Sequence, residues 1–527
     1  LEREANIARN RALLEQLELR EAVAALGMPS KAKAKPSARL RRTVADPNET
    51  PGRKRKREQE DEALRAKLEE ERLAEEERRR EAKKPRHQDL DLTTLSEDID
   101  DLSGLRRVLE LVTKEPCQRR VGDQDAFVFE EDKKEEAEVE ALRERLQTMK
   151  IVARAKVSGD RVYSAAYHPE TSKDLIFFGD KHGELAIWDP RAQPEEETAD
   201  DDDVKEVSNP EGGQFWRLQT HWPATAKSSI SSIRFDPLDA HTVYTSSYDC
   251  TVRSLSFTSG VSREIFSTDD VLISCVDLPP GGNEMWISDN GGGVTHLDLR
   301  QDRSKARWYQ LSEQKIGSVS VNPREPHFLL TASNTRLLKV WDVRKLEKLP
   351  AKNGSLDFEY DAIDTLITSA DGKSCLRGEW PHNKSVSSAY WDPRGRSIVS
   401  TSYDDTVRLW DIKPASFARN APFSAFKPFS RFHHSCQTGQ WVTVLKAQWS
   451  QYPDVLPHFT IGNLNHSLDI FSYKGDLLAR LADRERVSAT PAVTCSHPSV
   501  VERAASGTAS GKCYLWAPSD TDDEERE

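Results

Sequence analysis

Residues 150–517 are expected to fold as an all-β, seven-bladed propeller. Three observations predict it. Short alternating β-type segments begin at Lys150, a unit of about 40 residues recurs along them, and several units close on Trp-Asp or a near variant of it.

The clearest unit runs from Val386-Ser-Ser-Ala-Tyr-Trp-Asp-Pro393 through Ser397-Ile-Val-Ser-Thr-Ser-Tyr-Asp404 to Thr406-Val-Arg-Leu-Trp-Asp411. Partial copies begin at Val162, Ile230, Val271, Ile316, Val444 and Val487. They close on Trp188-Asp189, Leu255-Ser256, Leu297-Asp298, Trp341-Asp342, Phe471-Ser472 and Trp516-Ala517. Each unit reads as strand, turn, strand, tight turn, strand. One such sheet cannot bury both faces alone, whereas seven stacked in a ring can, and closure protects the edges. The pattern is that of a WD-repeat propeller, with a solenoid as runner-up. Residues 150–157 read as an extra strand that completes the last unit and latches the ring.

Residues 1–149 are crowded with charges of both signs and read as a partly helical, partly disordered extension. Apolar spacing over 2–26 suggests an amphipathic helix. Residues 30–59 have the composition of a disordered stretch. Alternating charges at 60–84 suit an exposed, ion-paired helix, and a further helix is expected from Glu135 to Met149. The basic run Arg53, Lys54, Arg55, Lys56 and Arg57, with residues 83–86, reads as a nuclear import signal, which places the protein in the nucleus. Residues 192–213 form an acidic insertion expected to be disordered, and 518–527 an acidic tail.

The formal net charge of -12 is therefore concentrated in solvated runs, and overall acidity does not exclude a nucleic-acid surface. The seven cysteines form no CxxC pair, the usage of a reduced protein without disulfides or zinc. No apolar run reaches about 18 residues, so no membrane helix is expected. No catalytic set is visible. Residues 507–513 imitate a phosphate loop but are one residue short, lack its Ser/Thr and lead into a strand. The pair His433-His434 lacks partners at metal-ligand spacing. Neither enzyme activity, cofactor nor metal is expected.

Three patterns carry functional weight. Arg161, Lys227, Lys315, Lys384 and Arg486 each stand just before the first strand of a unit. Ring symmetry would gather them at one mouth of the channel, where they would hold phosphates; the bland alternative is solvated loop charge. Residues 429–441 combine Arg431, His433, His434 and Gln440 with Phe429, Phe432 and Trp441. They are expected to enter the same rim as a hairpin turning near Thr438-Gly439, with aromatics that stack on or wedge between bases. The alternative makes Phe429 and Phe432 a buried plug. Third, Trp-Asp-x-Arg occurs with Asp189 and Arg191, with Asp342 and Arg344, and more weakly with Asp298 and Arg300, on the opposite rim; the alternative is a local ion pair. A copy at 391–394 follows a first strand instead and reads as coincidence.

With these residues in view, the chain resembles the changed-mutation-rate family of fungal WD-repeat DNA damage-binding proteins. More distantly it is similar to the small subunits of UV-damaged-DNA-binding complexes. The family likeness covers nearly the whole chain, including residues 6–10, 174–184 leading to Trp188-Asp189, and 438–441. The more distant one is strongest over 318–449, with residues 329–333, 340–344 and 445–449. The resemblance implies a nuclear propeller that binds double-stranded DNA, with preference for UV lesions. It also implies a wedge that, by spacing from Lys446-Ala447, falls on Gly439-Gln440-Trp441, where only the Gln is kept. Asp342 and Arg344 resemble the docking motif of substrate receptors for cullin-type ubiquitin ligases. DNA binding is thus the leading expectation, with chromatin proteins as further partners. The alternative is an interaction scaffold or ligase receptor whose adaptor docks on Asp298, Arg300, Asp342 and Arg344.

Overall fold

The computed structural model describes residues 84–96, 99–114, 116–192, 211–351, 354–370 and 372–519. The helix expected at 2–26, the disordered stretch at 30–59 with the basic run 53–57, nearly all of the helix expected at 60–84, residues 193–210 of the acidic insertion and 520–527 of the tail lie outside them.

Seven sheets of four or five strands follow one another along the chain, antiparallel throughout except for the edge strand Asp357–Phe358, which pairs parallel in blade 3. Blade 1 is Val162–Tyr167, Ile176–Asp180, Glu184–Asp189 and Gln214–Gln219. Blades 2 to 7 begin at Ile230–Phe235, Ile273–Asp277, Ile316–Val321, Val386–Trp391, Gln448–Trp449 and Val493–Ser496. Lys150–Lys156 pairs antiparallel with Lys512–Ala517 and supplies the fourth strand of blade 7. The edges of blades 2 and 3 are lengthened by Leu90–Asp91 and Asp357–Phe358, which covers exposed ladder groups.

The sixth and seventh units differ from expectation. Their inner strands start at Gln448 and Val493, not at Val444 and Val487, and blade 3 starts at Ile273 rather than Val271. The Val487 amide closes a turn onto Asp483, and residues 443–447 line the inside of the ring without ladder pairing.

Within each blade the strands alternate in direction. The loop into the first strand and the turn between the second and third therefore share one face of the ring, the upper face here. The first-to-second and third-to-fourth connections share the lower face. Every second-to-third turn holds one residue with left-handed backbone: Gly183, Cys250, Gly292, Arg336, Asp405, His466 and Gly511. At Gly292 a Cβ would lie 2.1 Å from the Ser312 carbonyl, so only glycine fits. Four blades instead place a side chain there against its conformational preference.

Trp188, Trp341, Trp410 and Trp516 end the third strands of blades 1, 4, 5 and 7 and are fully buried. Replacing such a ring by alanine costs about 3–5 kcal/mol. Blade 2 has Leu255 at that position, and its interior is fixed by polar bonds as well. His221 lies 3.0 Å from Asp249 through Nδ1 and 2.8 Å from the Thr245 hydroxyl through Nε2.

In blades 1 to 5 the ladder slips at the second residue of the first strand: Tyr163, Ser231, Ser274, Gly317 and Ser387. Such a bulge leaves one residue outside the ladder and re-aims it. All five line the upper end of the channel.

The chain before Lys150 is built into this body. Helix Ile99–Val112 buries Leu102, Leu105 and Leu109 against Trp216 and Phe257 of blades 1 and 2. The chain then crosses the lower mouth as a strap. The Ala240 amide donates to the Cys117 carbonyl at 3.0 Å, Arg119 N to Pro237 at 2.8 Å, and Gly122 N to Pro393 at 3.0 Å. Helix Asp132–Gln147 packs Leu142 and Leu146 on Leu478 and Leu481 of blade 6 and leads into the latch. The Trp-Asp-x-Arg copy at 391–394, read above as coincidence, anchors the strap. The buried Arg394 pairs with the buried Asp392 at 2.8 Å and donates to the Ala126 carbonyl at 2.9 Å.

Candidate nucleic-acid interface

The upper mouth is a cavity of about 250 Å³ to which blades 1 to 5 and the segment 443–446 contribute. The predicted cations do not all reach it. Lys315 lines it, its ammonium 2.9 Å from the Tyr248 hydroxyl and 5.0 Å from the centre of that ring. Arg161 stands beside it, 5.9 Å from the ring centre of Tyr163, and donates to the Gln440 carbonyl at 3.1 Å. Lys227 and Lys384 are exposed on the loops into blades 2 and 5, on the same face. Arg486 is elsewhere. Its guanidinium donates to the Ile151 carbonyl on the outermost strand of blade 7 at 2.9 Å and faces Glu211 and Asp483. The turn closed by Asp483 and Val487 carries it to the circumference. Blade 3 places Asp269-Asp270 where blades 1, 2, 4 and 5 carry a cation, which leaves the crown open on one side.

Residues 429–441 form no hairpin. Ser430–His433 is the fourth strand of blade 5, paired with Thr406–Leu409. Arg431 is exposed on that outer strand, away from the mouth, and His433 is exposed at its upper end. Phe432 packs on Phe471, ring centres 4.7 Å apart, and His434 is buried 3.6 Å from the Cys436 thiol. Burial pushes the His434 imidazole below its usual pKa, so it stays neutral and structural. The plug reading thus holds for Phe432, while Phe429 is half exposed.

Beyond the plug the chain turns over the mouth. Asp405, in its left-handed turn, accepts from the amides of Cys436 at 3.0 Å and Gln437 at 3.2 Å. The Val442 amide closes onto Gly439 at 3.1 Å, and the Thr443 hydroxyl donates to the Val162 carbonyl of blade 1 at 2.6 Å. Pinned at both ends, the loop presents an exposed Gln440 and leaves Trp441 74% exposed. A tryptophan held outward by a fixed loop beside a guanidinium suits stacking on a flat ring.

Sequence reasoning missed two cations. Arg336 is exposed at the left-handed position of its turn on the upper face. Lys446 lines the mouth from inside the channel, and burial, then the charges of Lys315 and Arg234, press its ammonium below the usual lysine value. The alternation of Val444, Lys446 and Gln448, all turned inward, was the available signal.

On the lower face two of the three Trp-Asp-x-Arg copies pair within the motif, while in the first Arg191 pairs instead with Asp174 at 2.8 Å and Asp189 with Lys173 at 2.9 Å. Arg344 makes a two-pronged bond to Asp342 at 2.9 and 2.7 Å, and Arg300 to Asp298 at 2.9 Å twice. Asp342 is buried and also faces the buried Arg377 at 3.6 Å, whose guanidinium lies 4.8 Å from Phe328 and 4.9 Å from Phe423. The Arg344 side chain is 55% exposed. Among the described residues no group of three or more His, Cys, Asp or Glu is arranged to hold a metal ion, and no helix is long and apolar enough to cross a membrane.

Seven four-stranded blades, Trp-Asp strand ends and a latch strand define a WD-repeat β-propeller, and residues 373–411 match the WD domain, G-beta repeat family. Among curated relatives, the DNA damage-binding protein CMR1 of Cryptococcus neoformans is 34% identical over 99% of this chain and 98% of its own length. That of Phaeosphaeria nodorum is 32% identical over 98% of this chain and 97% of its own. That of Neurospora crassa is 35% identical over 71% of this chain and 69% of its own. The chain belongs to the CMR1 family of WD-repeat proteins.

Proposed function

We propose that this protein binds DNA on the upper face of its propeller, prefers UV-damaged duplex, and acts in the nuclear response to DNA damage. The relatives' shared name supports the class of ligand. One observation carries the reading: the loop 437–443 is pinned across the mouth and projects Gln440 and Trp441 beside Arg161. Lys227, Lys315, Lys384 and Arg336 lie on the same face and supply phosphate contacts that carry no sequence information. A damaged step costs less to unstack, so a projecting indole discriminates by deformation rather than by base edges. Nothing in this arrangement requires catalysis.

The test is a titration of plain and irradiated duplex at two salt concentrations. The double variant Lys227→Glu with Lys384→Glu should weaken binding to both and lower the salt slope by about one per lost phosphate contact. Arg486→Glu, on the circumference, should leave both unchanged. Equal effects of the two variants would contradict the reading.

A second reading rests on the lower face, where exposed Arg344 and Arg300 are held by their own aspartates. Here the propeller recruits chromatin proteins or the adaptor of a cullin-type ligase. Loss of adaptor co-purification on Arg344→Ala, with DNA binding intact, would support it.

A further inference from the structure

The upper mouth holds more donors than its own fold consumes. Of the bulged residues that line it, Ser231 commits its hydroxyl to the Ser246 and Ile273 carbonyls. Its counterparts Ser274 and Ser387 are only 3% and 8% exposed, and neither hydroxyl has a hydrogen-bond partner. An unsatisfied buried hydroxyl costs about 1–3 kcal/mol, and in a folded protein it asks for an explanation. Both serines line the same cavity as Lys315 and Lys446. No carboxylate lies within ion-pair distance of either lysine among the described residues, and the hydroxyl that Lys315 meets belongs to Tyr248.

From this we infer that the mouth is a binding site for a phosphomonoester, the terminal phosphate of a nucleotide, with Ser274, Ser387, Lys315 and Lys446 as its donors. This rests on the nucleic-acid reading above and names the chemical group the mouth itself takes. Two ammonium groups match a dianion, and a terminal phosphate carries close to two charges near neutral pH. A backbone phosphodiester carries one charge and has a sugar on both sides, so it fits the rim better than a blind recess. The strap across the lower mouth leaves the upper face as the way in. A cavity of about 250 Å³ has room for a phosphate and part of one attached nucleoside, with Tyr248 and Tyr403 on its wall, and none for a duplex. The lowered ammonium of Lys446 fits a group waiting for its counter-charge: a bound dianion would return it towards the ordinary lysine value.

The experiment uses the full chain and one short single strand in two forms, 5′-phosphorylated and 5′-hydroxyl, read by fluorescence anisotropy. Adenosine monophosphate, inorganic phosphate and a phosphoserine peptide serve as competitors. The phosphorylated strand should bind at least tenfold more tightly. That preference should vanish in the Ser274→Ala, Ser387→Ala double variant and in Lys446→Met. Lys446→Met should melt no lower than the parent, because it removes a half-buried charge without a carboxylate partner, and this separates lost binding from lost folding. Competition by the monophosphate or by inorganic phosphate at matching concentrations assigns a free nucleotide or phosphate as source, and its absence assigns a strand end; both support the site. Equal affinity for the two strands with no competition would overturn it, and a phosphopeptide that competes best would overturn the nucleotide assignment. Binding of the monophosphate without any duplex binding would leave this site standing and remove the DNA reading. Duplex binding indifferent to terminal phosphate would do the reverse.

Discussion

The Thr443 hydroxyl donates to the Val162 carbonyl at 2.6 Å and so ties the loop between blades 5 and 6 to the first strand of blade 1. Blades 6 and 7 lie between them in the ring, so this bond carries the loop across the mouth of the channel. With Asp405 holding the other end, the projection of Trp441 is a property of the scaffold rather than of a free loop. Pre-organised side chains lose less entropy on binding.

Trp441→Ala should therefore leave stability within about 0.5 kcal/mol of the parent, as for other exposed positions, while removing a stacking contact worth about 1–3 kcal/mol. Thermal melting together with titrations of plain and irradiated duplex checks both halves. An equal loss on the two DNAs would refute a wedge role.

Asp342 and Arg344 should separate sharply. Asp342→Ala leaves the buried Arg377 without its carboxylate, and breaking a buried pair in this way costs about 3–5 kcal/mol. Arg344→Ala removes an exposed partner and should cost under about 1 kcal/mol. Urea denaturation distinguishes them, and similar costs would contradict the buried network. An adaptor assay on Asp342 variants would be confounded by unfolding, which makes Arg344 the informative position.

Arg394→Ala should release the strap. The substitution leaves Asp392 buried without its partner and removes the bond to Ala126. Limited trypsin digestion should then cut faster than in the parent at Arg119, which is half-buried and bonded to Gln451. An unchanged cleavage pattern would show that the strap holds without this anchor.

Acid should weaken the fold before most carboxylates titrate. Burial pushes His168 and His382 down to about 3, and His458 and His497 down to about 4. Unfolded imidazoles take up protons near 6.5. Between those values the unfolded chain binds more protons, so stability falls as pH falls. Glu184, raised by burial and then by Asp180 to about 7, works in the opposite sense, as do Asp180 and Glu347, raised by burial, while His327 and His434, lowered by burial, add to the four histidines. The urea midpoint should drop between pH 6.5 and 5; a midpoint flat over that range would contradict neutral buried histidines.

The ring and its seven blades were legible because each unit repeats one alternation and three of them end on Trp-Asp, at 188–189, 341–342 and 410–411, with near variants in the rest. Local pattern decides such elements. The mouth was only half legible. Arg161, Lys315, Gln440 and Trp441 converge there, but Arg486 is displaced because the turn between Asp483 and Val487 belongs to that chain segment alone and breaks the symmetry that predicted it. His434 and Phe432 were ambiguous in sequence, since an aromatic-rich insertion serves equally as plug or probe, and the contact with Phe471 decides between them. The roles of Asp392 and Arg394 were invisible because they depend on a strap supplied from more than 250 residues upstream, as the Arg394 bond to Ala126 shows.

On this arrangement DNA meets the upper face. The most direct measurement is site-specific photo-crosslinking, with benzoylphenylalanine in place of Lys384 on the upper rim or of Arg300 on the lower. Irradiated duplex should crosslink from position 384 and not from position 300. Crosslinks from position 300 alone, or equally from both, would contradict the account.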